Sequence, residues 1–357
     1  MPDFLTLQEI ALAARTNLSR NHWDYLIGAA ETETTMKRNR ASLDALSFRP
    51  RILHDVSDVR ANSTFMGHAL RLPVLLPPIG SLQVFESGGG ASVAKAADAF
   101  GAMMMLSSVC TPGFEDVAKV GNAPKVFQLY LVGDQGWMDD HIARAIDAGY
   151  VGFCLTVDTA VYSRRERDVL KRFVPASGRQ AGTSDFGFQA KMSWDTVAHI
   201  KDKFAIPLWL KGVNTGADAG RAVEAGVDVV YVSNHGGRQL DHGRGGMEAL
   251  PEVVAAVEGR VPVVVDGGFM RGTDVIKGLC AGADLIGMGR FEALAMAAGG
   301  ANAVVRALEI LELEIRTSMA LLGVASLGDL GPDFMQAATP MNDAHVLSAL
   351  PLLAEGY

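Results

Sequence analysis

His235 and Arg238 stand three residues apart in the run Ser233-Asn234-His235-Gly236-Gly237-Arg238-Gln239-Leu240-Asp241, directly after the apolar stretch Val229-Val230-Tyr231-Val232. A buried strand would deliver both side chains at its end. An imidazole that titrates near neutrality can take a proton, and a guanidinium three residues on offers a planar fork that matches a carboxylate. The chemistry that suits this pair is proton abstraction from a small acid. On its own, a His-x-x-Arg pair also fits a capped loop with a surface ion pair.

Short β-branched and aliphatic runs at 73–76, 102–106, 126–130, 151–157, 207–210, 229–232, 262–265 and 284–288 alternate with helical patterns at 91–100, 138–148, 193–203, 216–225, 248–257 and 273–281. Such alternation predicts a parallel sheet, and strands apolar on both faces predict a (β/α)8 TIM barrel. An open doubly wound sheet would require a switch in strand order that a sequence does not display. Ser193, Thr215 and Thr273 are read as helix N-caps. Residues 1–70 fall outside the alternation, with helical patterns at 5–18 and 21–30 and short strands at 48–53 and 64–66. They are read as an N-terminal cap of helices and a β-hairpin. No Pro/Gly/Ser-rich linker separates them from a barrel at 71–300, so one domain is expected over 1–357. A helix at 301–322, with Val304, Ala307, Leu308, Leu311 and Ile315 on one face, opens a C-terminal segment at 301–357.

Barrel chemistry belongs at the C-terminal ends of the strands, and those ends are rich in polar groups. Gln128 and Tyr130 follow the third strand, and Thr156, Asp158, Arg164 and Arg165 the fourth. Lys211 ends the fifth, Ser233 to Arg238 the sixth, Asp266-Gly267-Gly268 the seventh and Gly289-Arg290 the eighth. Any one of these can be a cap or an ion pair. Together they place Lys, His, Asp and several Arg on one rim. The paired glycine segments after the last two strands suit a phosphate held by bare backbone amides. No Gly-x-Gly-x-x-Gly follows an early strand, so a Rossmann-type nicotinamide site is not indicated.

The chain has 357 residues, with 32 Lys+Arg against 40 Asp+Glu and a net charge of -8. No basic cluster alternates with aromatics, so nucleic acid is not an expected partner. The three cysteines, Cys110, Cys154 and Cys280, lie in apolar contexts without metal-type spacing and are read as reduced core thiols. No basic segment followed by an apolar core opens the chain, and no uninterrupted apolar run reaches about 18 residues. A cytoplasmic location is expected.

Beyond Ser233 to Asp241, the blocks Leu106-Ser107-Ser108, Phe127-Gln128-Leu129-Tyr130, Leu155-Thr156-Val157-Asp158-Thr159, Arg164-Arg165, Leu210-Lys211-Gly212-Val213, Asp266-Gly267-Gly268 and Arg271-Gly272-Thr273-Asp274 resemble, in order, those of the FMN-dependent 2-hydroxy acid dehydrogenases and oxidases. That family includes glycolate oxidase, lactate oxidase, mandelate dehydrogenase and the flavin domain of flavocytochrome b2. The resemblance implies FMN as cofactor, with Pro78, Ile79, Gly80, Ser107, Gln128, Thr156, Lys211 and Ser233 around its ring and ribityl chain. Asp266, Gly267, Gly268, Arg271, Gly289 and Arg290 would hold the ribityl and phosphate end. It implies oxidation of an L-2-hydroxy acid to a 2-oxo acid, with His235 as base and Asp158 as its partner. Arg238 and Tyr25 would grip the carboxylate, Tyr130 would bond the substrate hydroxyl, Arg165 would add positive field and Lys211 would favour electron uptake by the flavin. A tetramer or octamer is implied. The electron acceptor, whether oxygen, a quinone or a protein, stays open.

The chain also departs from the family pattern. Phe269 and Met270 follow Asp266-Gly267-Gly268 where many members have an arginine, so one phosphate or ribityl contact is missing and Arg271 can point elsewhere. Val109 replaces an aromatic, Pro78-Ile79-Gly80 replaces Pro-Thr-Ala, and the segment between Arg165 and Lys211 is shorter than in plant glycolate oxidase. These changes predict an open apolar space suited to medium or bulky substrates. Two other readings share the glycine seats: a non-redox FMN barrel isomerase, which needs no carboxylate clamp, and an inactive flavin-binding module, which needs no intact His235, Asp158 and Lys211.

Overall fold

The computed structural model describes residues 3–174 and 187–356. The N-terminal helices are α1 (Leu7–Asn17), α2 (Arg20–Ile27) and α3 (Thr34–Asp44), followed by the short strands β1 (Leu46–Phe48), β2 (Ser63–Phe65) and β3 (His68–Leu70). Barrel strands β4 (Val74–Leu76), β5 (Met103–Ser107), β6 (Lys125–Leu129), β7 (Gly152–Thr156), β8 (Leu208–Val213), β9 (Val229–Val232), β10 (Val263–Val265) and β11 (Leu285–Gly287) close on themselves, all parallel. The expected TIM barrel is thus present. The helices after β3 are α4 (Gly89–Phe100), α5 (Phe114–Ala118), α6 (Gln135–Asp147), α7 (Glu166–Leu170), α8 (Gly187–Ala190), α9 (Trp194–Lys203), α10 (Gly216–Glu224), α11 (Gly246–Val257), α12 (Gly272–Cys280) and α13 (Gly289–Leu322).

Two apolar cores follow from the alternation of strand side chains. Leu75, Met103, Met105, Val126, Cys154, Trp209, Val229, Tyr231, Val264 and Leu285 fill the barrel, and Phe65 and Leu70 of the β2–β3 hairpin plug its N-terminal end, with Phe65 5.4 Å from the Trp209 ring. The other faces of the same strands pack on the helices, which α1 joins by lying along α13. A capping box of Thr6 and Glu9 starts α1. Ser193 and Thr215 cap α9 and α10 as expected. Thr273 does not cap α12: the Asp274 carboxylate takes the amides of Met270 and Arg271 instead. Helix α13 breaks at Gly299 and Gly300, where φ is 177° and 62°, so its second half starts close to the expected residue 301. All three cysteines are buried and free.

The cap differs from expectation. The strand expected at 48–53 is Leu46–Phe48, because Pro50 cannot extend a ladder, and it pairs antiparallel with β12 (Met335–Ala337) from the far end of the chain. The helix expected at 21–30 stops at Ile27. Helix α3 was not expected, because its buried face carries Asn39 and Arg40 beside Met36 and Leu43. Arg40 is 3% exposed and stays charged there through Asp44 and Asp274, both at 2.7 Å. The Asp241 carboxylate ties the cap to the barrel by accepting the amides of Thr32 and Thr35. Burial opposes its charge, but these donors and the Thr32 hydroxyl pull its pKa down to about 2.

Candidate active site

A cavity of about 420 Å³ opens at the C-terminal ends of the strands. Tyr25, Tyr130, Arg165, Lys211, His235 and Arg238 line it, as do Pro78-Ile79-Gly80, Asp266-Gly267-Gly268, Gly289 and Arg290. Its position follows from the turn after β9. His235, Gly236 and Gly237 all have left-handed backbones, with φ of 58°, 65° and 78°. A Cβ on Gly237 would lie 2.5 Å from the Met36 amide nitrogen, so only glycine lets α3 approach. The Asn234 side chain caps this turn at Gly237 and exchanges two hydrogen bonds with Asn39. The cap thereby sets the angle of His235.

His235 is held at both nitrogens. Nδ1 lies 3.2 Å from Asp158 Oδ1 and Nε2 3.2 Å from the Tyr130 hydroxyl. A carboxylate only accepts, so Nδ1 carries the proton and Nε2 accepts from the Tyr130 hydroxyl. Burial lowers the His235 pKa, with Lys211 and Arg165 in support and Asp158 in opposition. The ring is therefore neutral at neutral pH and able to take a proton. Burial also works against the Asp158 carboxylate, but the charges of His235 and Lys211 outweigh it and hold its pKa below the usual carboxylate range. Gly212, with φ of 117°, leaves room for this: a Cβ there would lie 2.8 Å from the Asp158 nitrogen. Tyr130 stays a hydroxyl, since burial and Asp158 both raise its pKa.

Cations crowd the other side. Arg238 donates through Nη1 to the carbonyls of Tyr25 and Gly28, at 2.7 and 2.8 Å, and lies 4.8 Å over the Tyr25 ring. Arg165 is buried beside Tyr162, its Nε without a partner among the described residues. Arg290 donates to the carbonyls of Leu26, Gly236 and Gly28. Burial first, then the Arg238 charge, lowers its pKa to about 9. The same influences, burial and then Arg165, lower that of Arg238. Arg40, Arg165, Lys211, Arg238 and Arg290 face the cavity against one carboxylate, Asp266, among the described residues. Anions entering here relieve mutual repulsion.

One expected role needs correction. Arg271 does not reach the cavity: it pairs with Glu314 at 2.7 Å and with the Ala349 carbonyl, because Asp274 and the start of α12 turn it outward. Arg290 faces the cavity, and the three carbonyls it holds also make it a brace between the end of α2 and the His235 turn. Sequence reasoning missed Met36, Asn39 and Arg40 of α3, and also Asp168, a buried carboxyl whose pKa is raised by burial against the pull of Arg238 and Arg165. None of these carries a local signal, since each acts only once the cap is folded onto the rim.

The residues present fit an FMN. Gln128 and Thr156 are fully buried, and both amide atoms of Gln128 and the Thr156 hydroxyl lack partners among the described residues. Buried polar atoms left over in this way call for a ligand that donates and accepts, as the pyrimidine edge of a flavin does. Thr156 stands in register with Lys211, whose Nζ is 3.0 Å from Ser233 Oγ. Ser233 in turn donates to Asp266 at 2.8 Å, so its hydroxyl braces Lys211. Ser107 is buried on the neighbouring strand, paired in register with Gln128. At the other end, the start of α13 at Gly289 and the Gly267-Gly268 turn line the cavity, with the positive helix end suited to a phosphate. Met270 also lines it and supplies no charge.

Similarity to known proteins agrees with this geometry. Residues 14–337 match the family model of the FMN-dependent dehydrogenases. The chain is 37% identical to an L-lactate oxidase of Nostoc sp. over 93% of this chain and 98% of that one. It is 35% identical to glycolate oxidase 3 of Arabidopsis thaliana, over 97% and 99% of the two chains. A crystal structure of mandelate oxidase superimposes with a TM-score of 0.88 at 33% identity, covering 95% of this chain and all of that one. Another mandelate oxidase structure, with a C4a-OH-FMN adduct, does so with a TM-score of 0.84 at 34% identity, covering 93% and 99%. The barrel, the polar floor built for a flavin and these matches together make the chain a member of the FMN-dependent dehydrogenase family.

Proposed function

We propose that the protein oxidises an L-2-hydroxy acid to the 2-oxo acid, with the residues of the His235 cluster in the roles their geometry suits. The observation that carries this reading is a neutral imidazole, oriented by Asp158 and Tyr130, in the same cavity as Arg238 and Arg165. The oxidation removes two electrons and two protons from the substrate. FMN, when bound, supplies the two-electron acceptor.

Arg238 holds the substrate carboxylate through the edge of its guanidinium not used by Tyr25 and Gly28, and Arg165 strengthens the attraction. The Tyr130 hydroxyl, beside Nε2, positions the substrate hydroxyl. His235 Nε2 takes a proton, from the hydroxyl or from the α-carbon, and the imidazolium that forms is stabilised by Asp158. Lys211, held by Ser233 and in register with Thr156, would with Gln128 and Thr156 hold the flavin's polar edge, and its charge would favour electron uptake there. The carboxylate clamp distinguishes this reading from a non-redox isomerase, and the intact His235–Asp158 pair from an inactive module. The relatives' names favour molecular oxygen as acceptor, and the family resemblance a homo-oligomer.

Anaerobic addition of L-lactate or L-mandelate to the FMN-loaded protein is expected to bleach the flavin absorbance and yield the 2-oxo acid, with the D-enantiomers inert. No bleaching by any L-2-hydroxy acid would overturn the proposal.

A further inference from the structure

We propose that the catalytic cavity continues into an aromatic side arm ending at His141, and that this arm selects 2-hydroxy acids whose side chain carries a ring with a hydrogen-bond donor on its far edge, a phenol or an indole. The inference rests on the 2-hydroxy acid reading and names the substrate class of the same site.

Phe114, Phe127, Trp137 and His141 line the same cavity as His235 and Arg238, and so do Val109 and Val132. Phe127 belongs to the core outside the barrel, whereas its neighbour Val126 belongs to the core inside it. The cavity thus reaches past the strand ends toward α5 and α6. Val109 is small enough to leave that passage open.

The arm is built from rings that hold one another. Phe114 stacks on Phe127 at 4.4 Å and faces His141 at 6.0 Å, and Trp137 lies 3.9 Å from His141. The indole is fixed from below, since a Cβ on Gly133 would lie 2.4 Å from Trp137 Cγ, and the Trp137 amide is taken by Asp134 at 2.9 Å.

His141 brings a directional polar group to this apolar wall. Its Nδ1 lies 2.8 Å from the Trp137 carbonyl, which only accepts, so Nδ1 carries the ring proton. The Asp140 carboxylate, 3.9 Å from the same nitrogen, favours that arrangement. Nε2 has no hydrogen-bond partner among the described residues, and in the neutral ring it accepts. A phenol or indole N–H satisfies it, whereas a phenyl ring leaves it unpaired, and a contact of that kind discriminates by about tenfold.

The test is anaerobic flavin reduction by L-lactate, L-3-phenyllactate, L-3-(4-hydroxyphenyl)lactate and L-indole-3-lactate. The hydroxyphenyl and indole acids are expected to exceed phenyllactate in kcat/KM by about tenfold, and phenyllactate to exceed lactate. His141→Phe is expected to bring the hydroxyphenyl-to-phenyl ratio close to one, and Val109→Trp to cut all three ring-bearing acids more than lactate. Reduction by lactate in preference to the ring-bearing acids, or a ratio that survives His141→Phe, overturns the arm alone. If none of the four acids reduces the flavin, the 2-hydroxy acid reading fails and the arm fails with it.

Discussion

His235 Nδ1 lies 3.2 Å from Asp158 Oδ1 although the residues are far apart in the chain. Their strands, β9 and β7, are separated only by β8, and Gly212 at the end of β8 leaves the bare backbone that lets Asp158 lean across. The pair is thus a product of strand order plus one glycine.

Burial sets the His235 pKa below its ordinary value near 6.5, and Asp158 pulls it back up. Flavin reduction is expected to hold as pH falls to about 6.5 and to decline at lower pH as Nε2 is protonated. Asp158→Asn is expected to lower the plateau by about 10- to 100-fold and to move this acid limb to still lower pH. A limb that stays in place or rises in the variant would contradict the pairing.

Arg238 spends one edge of its guanidinium on the Tyr25 and Gly28 carbonyls. Lysine has no second edge, so Arg238→Lys is expected to raise KM by about 10-fold or more with a smaller change in kcat. Steady-state kinetics decides this, and a loss confined to kcat would place Arg238 outside the carboxylate clamp.

Gly237→Ala forces a Cβ against the Met36 backbone at a φ of 78°. A loss of about 1–3 kcal/mol is expected in urea unfolding, together with slower flavin reduction as the His235 turn shifts. Unchanged stability would show that α3 does not clamp the turn.

Glu292 is fully buried, and neither carboxyl oxygen has a partner among the described residues. Burial raises its pKa well above the usual range, so it is protonated in the fold. The unfolded chain releases that proton above about pH 4.3, so the group costs stability as pH rises from there towards its folded pKa. Glu292→Met is expected to stabilise the protein by about 1 kcal/mol or more, and more at pH 8 than at pH 5. Lower urea midpoints at both pH values would show that the carboxyl is useful where it stands.

The barrel was legible because its strands are apolar on both faces and regularly spaced by helices, and the rim residues followed from where those strands end. Tyr130, Asp158, Lys211, His235 and Arg238 all line or adjoin one cavity for that reason. The cap was read less well. Its α3 hides a polar buried face that makes sense only with Asp44, Asp274 and Asn234 beside it, and β1 finds its partner β12 only at the other end of the chain. Arg271 looked like a phosphate ligand from its place after the glycines, yet Glu314, on a helix formed much later in the chain, determines where it points. The shortened segment between Arg165 and Lys211 falls partly on residues 175–186, outside the described residues.

The central claim is that His235 acts as the base of a complete site rather than as a structural histidine, and rapid-mixing flavin reduction tests it most directly. Wild type and His235→Gln, both loaded with FMN, are mixed anaerobically with the best L-2-hydroxy acid. The variant is expected to keep its flavin spectrum and bind substrate while the reduction rate falls by about 100-fold or more. A His235→Gln protein that holds FMN and is reduced at close to the wild-type rate would contradict the account.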